Sequence, residues 1–310
     1  MRPYLLSSLM CLLAVAPVSA ETIPPTLSDV AYGSHPKQFM HFWKADSKEP
    51  TPLLFFIHGG GWNAGSPMHK DLLAMVPKLR EKGISAVSIE YRFIREAVEQ
   101  GIEPPVKAPL HDAARALQFV RSKAVEWNID PERIAACGGS AGACSSLWLA
   151  FHDDLADPDS NDPVARESSR LLCAAVKGAQ TTLDPAQMKE WTPNSKYGGH
   201  AFGIFKADGK KVVQNFDEFL AKRSEILPWI NEFSPYAQVS SDDPPVYLFY
   251  SAKPALGQPQ KDPTHTSNFG VKLKEHMESV GVSCELAYPG APDVTHRDIE
   301  SYLIERLTQK

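Results

Sequence analysis

The stretch Ile134-Ala135-Ala136-Cys137-Gly138-Gly139-Ser140-Ala141-Gly142 decides how this chain is read. Its first four residues are apolar and suit a short strand buried on both faces, while Ala143 to Phe151 continue as an apolar helix. Between them, residues 138–142 fit the pattern G-x-S-x-G, a serine carried on a sharp strand-to-helix turn with its hydroxyl projecting from the sheet. Glycine suits such a bend because a side chain there would collide with neighbouring backbone. A five-residue match is weak alone, and the preceding strand and following helix supply the context it needs.

Working upstream, Pro52 to Ile57 form a second apolar strand, followed at once by His58-Gly59-Gly60-Gly61-Trp62. Backbone N–H groups in such a loop can point at a carbonyl oxygen that becomes negative in a transition state, with the Ala141 N–H as a partner donor. Strand, glycine-rich turn and helix thus occur twice. Further strands are expected at Gln38 to Lys44, Ile84 to Ile89, Leu171 to Val176, Val246 to Tyr250 and Ser283 to Tyr288. Helical spacing of Leu72, Leu73, Met75, Val76 and Leu79, of Ala113 to about Trp127, of Ser267 to Val280 and from about Arg297 fills the gaps. Such alternation specifies a parallel sheet covered by helices. Residues about 184–236 break the rhythm with scattered aromatic residues, which suits a cap insertion within a single domain spanning 21–310.

Residues 1–20 read as an export signal: Arg2 gives the positive end, Leu5 to Val15 an apolar core, and Val18-Ser19-Ala20 a cleavage site. Ser7, Ser8 and Pro17 make the stretch too short and broken for a membrane span. A periplasmic or secreted location is therefore expected. The whole chain carries 32 Lys+Arg against 37 Asp+Glu, with no basic run to track phosphates, so nucleic acid is not an expected partner. Cys11 leaves with the signal. Cys137, Cys144, Cys173 and Cys284 are spread too widely for zinc and read as buried thiols, though export permits a disulfide. Asp157-Pro158-Asp159-Ser160-Asn161-Asp162 begins like a calcium loop but has Asp162 at the sixth position and Ser168 at the twelfth, so a solvated acidic loop is expected and no metal.

The two glycine motifs, Tyr91-Arg92, Pro109 and Asp112, Ser234-Pro235 and Pro244-Pro245 together resemble the hormone-sensitive-lipase-like and feruloyl-esterase-like branch of the α/β-hydrolases. The resemblance runs from about residue 51 to the C-terminus and is weakest in the cap. It implies an eight-stranded, mostly parallel sheet, no cofactor, and a Ser–His–acid triad acting on small-molecule or carbohydrate carboxylic esters. Carried over by position, Ser140 is the nucleophile, and Gly60, Gly61 and Ala141 form the oxyanion hole. Gly139 stands where an Asp usually precedes the serine of the lipase subgroup.

The triad order of this fold, Ser then acid then His, places the base in a loop after the last strand, which selects His296. His265 is the reserve; His276 falls inside a helix, and His200 is the remaining late histidine. For the acid, Ser251-Ala252-Lys253-Pro254 offers no carboxylate where one is usual. Asp262, on the Pro-rich loop that follows, is the first choice and Asp293 the alternative. The expected chemistry is two-step acyl transfer. Trp191, Tyr197 and Phe202 are candidates to stack on a substrate ring. An exopeptidase on the same fold and a catalytically dead binding protein are the competing readings.

Overall fold

The strand Thr51–Ile57 is buried at every residue, as a central strand must be when helices cover both faces of its sheet. Leu53, Phe55 and Ile57 point into one apolar core, and Leu54 and Phe56 into the other. The computed structural model describes residues 23–208 and 211–309; the expected export segment, 1–20, lies outside them.

In chain order the strands are β1 (Leu27–Ala31), β2 (Phe39–Trp43), β3 (Thr51–Ile57), β4 (Ser85–Ile89), β5 (Ile129–Gly139), β6 (Cys173–Lys177), β7 (Phe205–Asp208), β8 (Lys211–Gln214), β9 (Val246–Phe249) and β10 (Cys284–Ala287). Eight form one sheet in the order β1-β2-β4-β3-β5-β6-β9-β10, and β7 and β8 pair as a separate antiparallel hairpin. From β4 onward in that order neighbours run parallel, whereas β2 is antiparallel to both β1 and β4. The expected mostly parallel, eight-stranded sheet is present. β5 is longer than its apolar run because Ile129 already pairs with Thr51.

The helices Lys107–Ser122, Ala141–Phe151 and Ser267–Ser279 supply the first core, and Lys70–Glu81 and Ile299–Thr308 the second. The helix expected to reach Trp127 breaks at Lys123 and resumes as Ala124–Trp127. Tyr91, Arg92, Asp112 and Ser234 are structural: Arg92 grips Asp112 with its guanidinium and backbone N–H, the Tyr91 hydroxyl donates to His58 O, and Ser234 Oγ accepts from Leu183 N.

Between β6 and β9 the chain carries an insert with the helices Pro185–Trp191, Phe216–Ala221 and Leu227–Phe233, the 3₁₀ turn Gly199–Phe202 and the β7–β8 hairpin. Trp191 is buried against Tyr236 and Phe269, and Phe202 stacks on Phe219. Neither is free to meet a substrate ring, because apolar packing within the protein already covers both. Cys137, Cys144, Cys173 and Cys284 are free and buried; burial pushes the Cys137, Cys173 and Cys284 thiols up to about 12, which leaves them unreactive. Asp162 of the acidic loop pairs with Arg115 at 2.6 Å, and no group able to hold a metal ion occurs among the described residues. No helix among them is long and apolar enough to cross a membrane.

Candidate active site

β5 ends at Gly139 and the next helix starts at Ala141, so Ser140 alone makes the turn, at φ 54° and ψ −122°. A non-glycine residue in that region costs about 1–3 kcal/mol and persists only where its surroundings hold it. Here Ser140 N–H donates to Lys177 O of the neighbouring strand at 3.0 Å, and Ser140 O accepts the first helical bond from Cys144 N at 2.9 Å. A Cβ added at Gly142 would stand 2.0 Å from Ile57 O, and one at Gly138 2.5 Å from the same atom. The bend therefore lies directly on the end of β3, whose next residues are the glycine loop.

That loop has its carbonyls tied inward. Gly59 O meets His58 Nδ1 at 2.8 Å, Gly60 O accepts from Asn63 N and Ala64 N at 3.0 and 3.2 Å, and Gly61 O accepts from Asn63 Nδ2 at 2.7 Å. In a trans peptide the N–H points opposite to the C=O, so anchoring the oxygens of 59 and 60 turns the Gly60 and Gly61 N–H groups the other way. Gly60 and Gly61 both have positive φ, 117° and 61°, which glycine tolerates. Neither N–H, nor that of Ala141 in the first helical turn, donates to another group among the described residues. Trp62 Nε1 donates to Ser145 Oγ at 3.0 Å and fastens the loop to the helix behind Ser140.

The histidine that meets Ser140 is His265: its Nε2 lies 2.9 Å from Ser140 Oγ, and its Nδ1 lies 2.9 Å from Asp262 Oδ2. Both side chains come from the loop between β9 and the helix Ser267–Ser279. Asp262 Oδ1 accepts the N–H groups of Thr264 and His265 at 3.2 Å, which folds the four residues into a turn with acid and base side by side. Gln180 Nε2 donates to Thr264 O at 2.7 Å and holds the turn over the sheet. Burial acts to raise the Asp262 carboxyl, yet the His265 hydrogen bond, its charge and the two N–H groups outweigh it and hold the group below the usual carboxylate range. Of the two candidate acids, Asp262 is the one in contact with His265, whereas Asp293 is exposed.

His296 requires a correction, because its ring is engaged elsewhere. Its Nδ1 meets Glu285 Oε2 of β10 at 2.7 Å, its backbone N–H donates to Glu285 Oε1 at 2.6 Å, and Nε2 sits 3.1 Å from Glu305 without hydrogen-bond alignment. Burial lowers its affinity for a proton, but the two glutamates prevail and hold its pKa above the usual value. A histidine with a raised folded pKa stabilises fully below its unfolded pKa and loses that stabilisation as pH rises through the folded value. His296→Leu is expected to cost about 1–2 kcal/mol at pH 6 and less at pH 9, read as the shift in urea midpoint, since it leaves Glu285 half-buried and unpaired. The ring does not meet Ser140, so the contact between Ser140 and His265 should be unaffected by this change.

Ser140 and His265 open onto a cavity of about 500 Å³, shared with Gly60, His69, Asp71 and Lys177. An adjoining apolar recess of about 220 Å³ is lined by Phe56, Met75 and Phe249, and Asp71 and Lys177 border both. Neither Asp71 nor Lys177 has an ion-pair partner among the described residues.

Comparison with known proteins gives the family and the fold. The BD-FAE family model matches residues 41–261. Carboxylesterase NlhH of Mycobacterium tuberculosis is 32% identical over 109 residues, which is 35% of this chain and 32% of that enzyme, so the chain spans about a third of that relative's length. A truncated carbohydrate esterase from gut microbiota superposes with a TM-score of 0.66 at 19% identity, covering 94% of this chain and 99% of that one. An acetyl ester-xyloside bifunctional hydrolase from Caldicellulosiruptor lactoaceticus gives 0.59 at 24% identity, covering 81% and 76%. At these identities the likeness carries the fold, that of the α/β-hydrolases.

Proposed function

The chain belongs to the BD-FAE family, and from that premise we propose that it is an exported serine hydrolase that cleaves carboxylic esters, with Ser140, His265 and Asp262 as its triad. One observation carries the reading: hydroxyl, imidazole and carboxylate follow one another at 2.9 Å and 2.9 Å beside unpaired backbone N–H groups. His265 Nε2 takes the Ser140 proton, the oxygen attacks the ester carbonyl, and the resulting oxyanion is received by the N–H groups of Gly60, Gly61 and Ala141. His265 then passes the proton to the departing alcohol, and water releases the acyl group by the same route. Asp262 accepts from Nδ1–H, keeps Nε2 available as the base and stabilises the imidazolium that forms. The contact of Asp262 with His265 speaks against a catalytically dead binding protein, whose support is the lack of a carboxylate at residues 251–254.

Acetyl or feruloyl esters of carbohydrates are the proposed substrates. Asp71 and Lys177 offer an acceptor and a donor for sugar hydroxyls at the cavity wall, and the apolar recess beside them suits an acyl or aryl group. Export rests on the reading of residues 1–20. The purified mature chain is expected to hydrolyse p-nitrophenyl acetate and acetylated xylo-oligosaccharides, and to leave aminoacyl p-nitroanilides untouched. Equal rates for the parent and Ser140→Ala on every ester would overturn the proposal.

A further inference from the structure

The insert between β6 and β9 reaches the glycine loop through the buried side chain of His200. His200, in the 3₁₀ turn Gly199–Phe202, places Nε2 3.0 Å from Gly61 O, and Gln214 at the end of β8 places its amide nitrogen 2.9 Å from His200 Nδ1. The carbonyl can only accept, so Nε2 carries the proton and Nδ1 receives the Gln214 N–H. We infer that His200, with its tautomer set by Gln214, is a positioning residue that holds the Gly61–Trp62 peptide and, through the Gly61 Cα that this peptide shares with the preceding one, steadies the oxyanion-binding Gly61 N–H.

Several features favour positioning over simple packing. Trp62, next to Gly61, sits at φ 53° in the left-handed region, a conformation costly for a bulky residue and one that needs outside restraint. Gly61 O takes two side-chain donors, Asn63 Nδ2 from the loop itself and His200 Nε2 from the insert. The Tyr197 hydroxyl, buried without a hydrogen-bond partner among the described residues, lies 3.5 Å from where a Gly61 Cβ would stand, and its ring meets His200 edge-on at 4.8 Å. Tyr197 and His200 of the insert therefore flank Gly61. Burial pushes the His200 imidazole down to about 4, so it stays neutral with a single N–H at physiological pH. An oxyanion donor displaced by a fraction of an ångström loses part of its effect in the transition state and little in substrate binding.

The inference rests on the serine-hydrolase reading, and its test separates the two. Removing a whole oxyanion donor costs roughly 10²–10³-fold in kcat, so loosening one is expected to cost about 10–50-fold. His200→Leu should show that loss in kcat on p-nitrophenyl acetate with KM changed less than about threefold. Its affinity for a trifluoromethyl ketone that mimics the tetrahedral adduct should fall in parallel. His200→Gln, whose amide can still donate to Gly61 O, should recover kcat to within about threefold of the parent. Gln214→Leu, which frees the proton to move to Nδ1, should lose about 3–10-fold and decides the matter if His200→Leu does not fold. Parent-like kcat in a folded His200→Leu or in Gln214→Leu, or equal losses in His200→Gln and His200→Leu, would overturn the positioning role. An inactive parent would instead overturn the hydrolase reading beneath it.

Discussion

Ser140→Ala and His265→Ala are each expected to lower kcat on p-nitrophenyl acetate by on the order of 10⁵-fold, and the double variant by no more than either alone. The reason is that the serine hydroxyl is a weak nucleophile until its proton has somewhere to go. At 2.9 Å, His265 Nε2 is the acceptor within hydrogen-bond reach of Ser140 Oγ. Removing either partner abolishes the same step, so the losses do not add. What survives is the contribution of the N–H groups and of substrate binding.

Asp262→Asn is expected to lower kcat by about 10²–10³-fold, while Asp293→Asn stays within about twofold. A buried triad acid is worth roughly 10⁴ when replaced by its amide, because the amide can donate to Nδ1 and leaves the wrong ring nitrogen protonated. The Asp262 side chain is 61% exposed and His265 38%, so water supplies part of the lost stabilisation and the effect is smaller. The same exposure predicts that kcat of the parent falls modestly as ionic strength rises, whereas the Asn variant shows no such slope. Equal losses in both aspartate variants would contradict this assignment.

The nucleophile turn and the glycine loop were legible because both are written in contiguous residues that dictate backbone conformation. The parallel sheet was legible for a similar reason: β3 and β4 are buried throughout, and residues 134–138 of β5 and most of β6, β9 and β10 are buried too, so each strand carries a short, mainly apolar run bounded by turns. β1 carried no such mark. Four of its five residues are exposed at the sheet edge, where pairing with β2 and not burial defines the strand.

The histidine in contact with Ser140 is not the one that chain order selects, and the reason is physical too. Chain order alone points to a base beyond the last strand, and His296 is there, but β10 puts Glu285 beneath it and the terminal helix adds Glu305. Those contacts join positions 11 and 9 residues away and depend on the folded arrangement. The usable signal was local: Asp262-Pro263-Thr264-His265 spaces an acid and a histidine three apart on a proline-bearing loop, the spacing at which an aspartate can cap the turn and reach the ring at once. His200 left no comparable trace, since its partners Gly61 and Gln214 lie in separate segments.

The most direct test is phosphylation of the protein by paraoxon, followed by peptide mass mapping and by rate measurement in the parent, His265→Ala and His296→Ala. The adduct is expected on Ser140, forming at closely similar rates in the parent and His296→Ala and slower by at least about 10³-fold in His265→Ala. An adduct on another residue, or rapid labelling in His265→Ala with slow labelling in His296→Ala, would contradict the account.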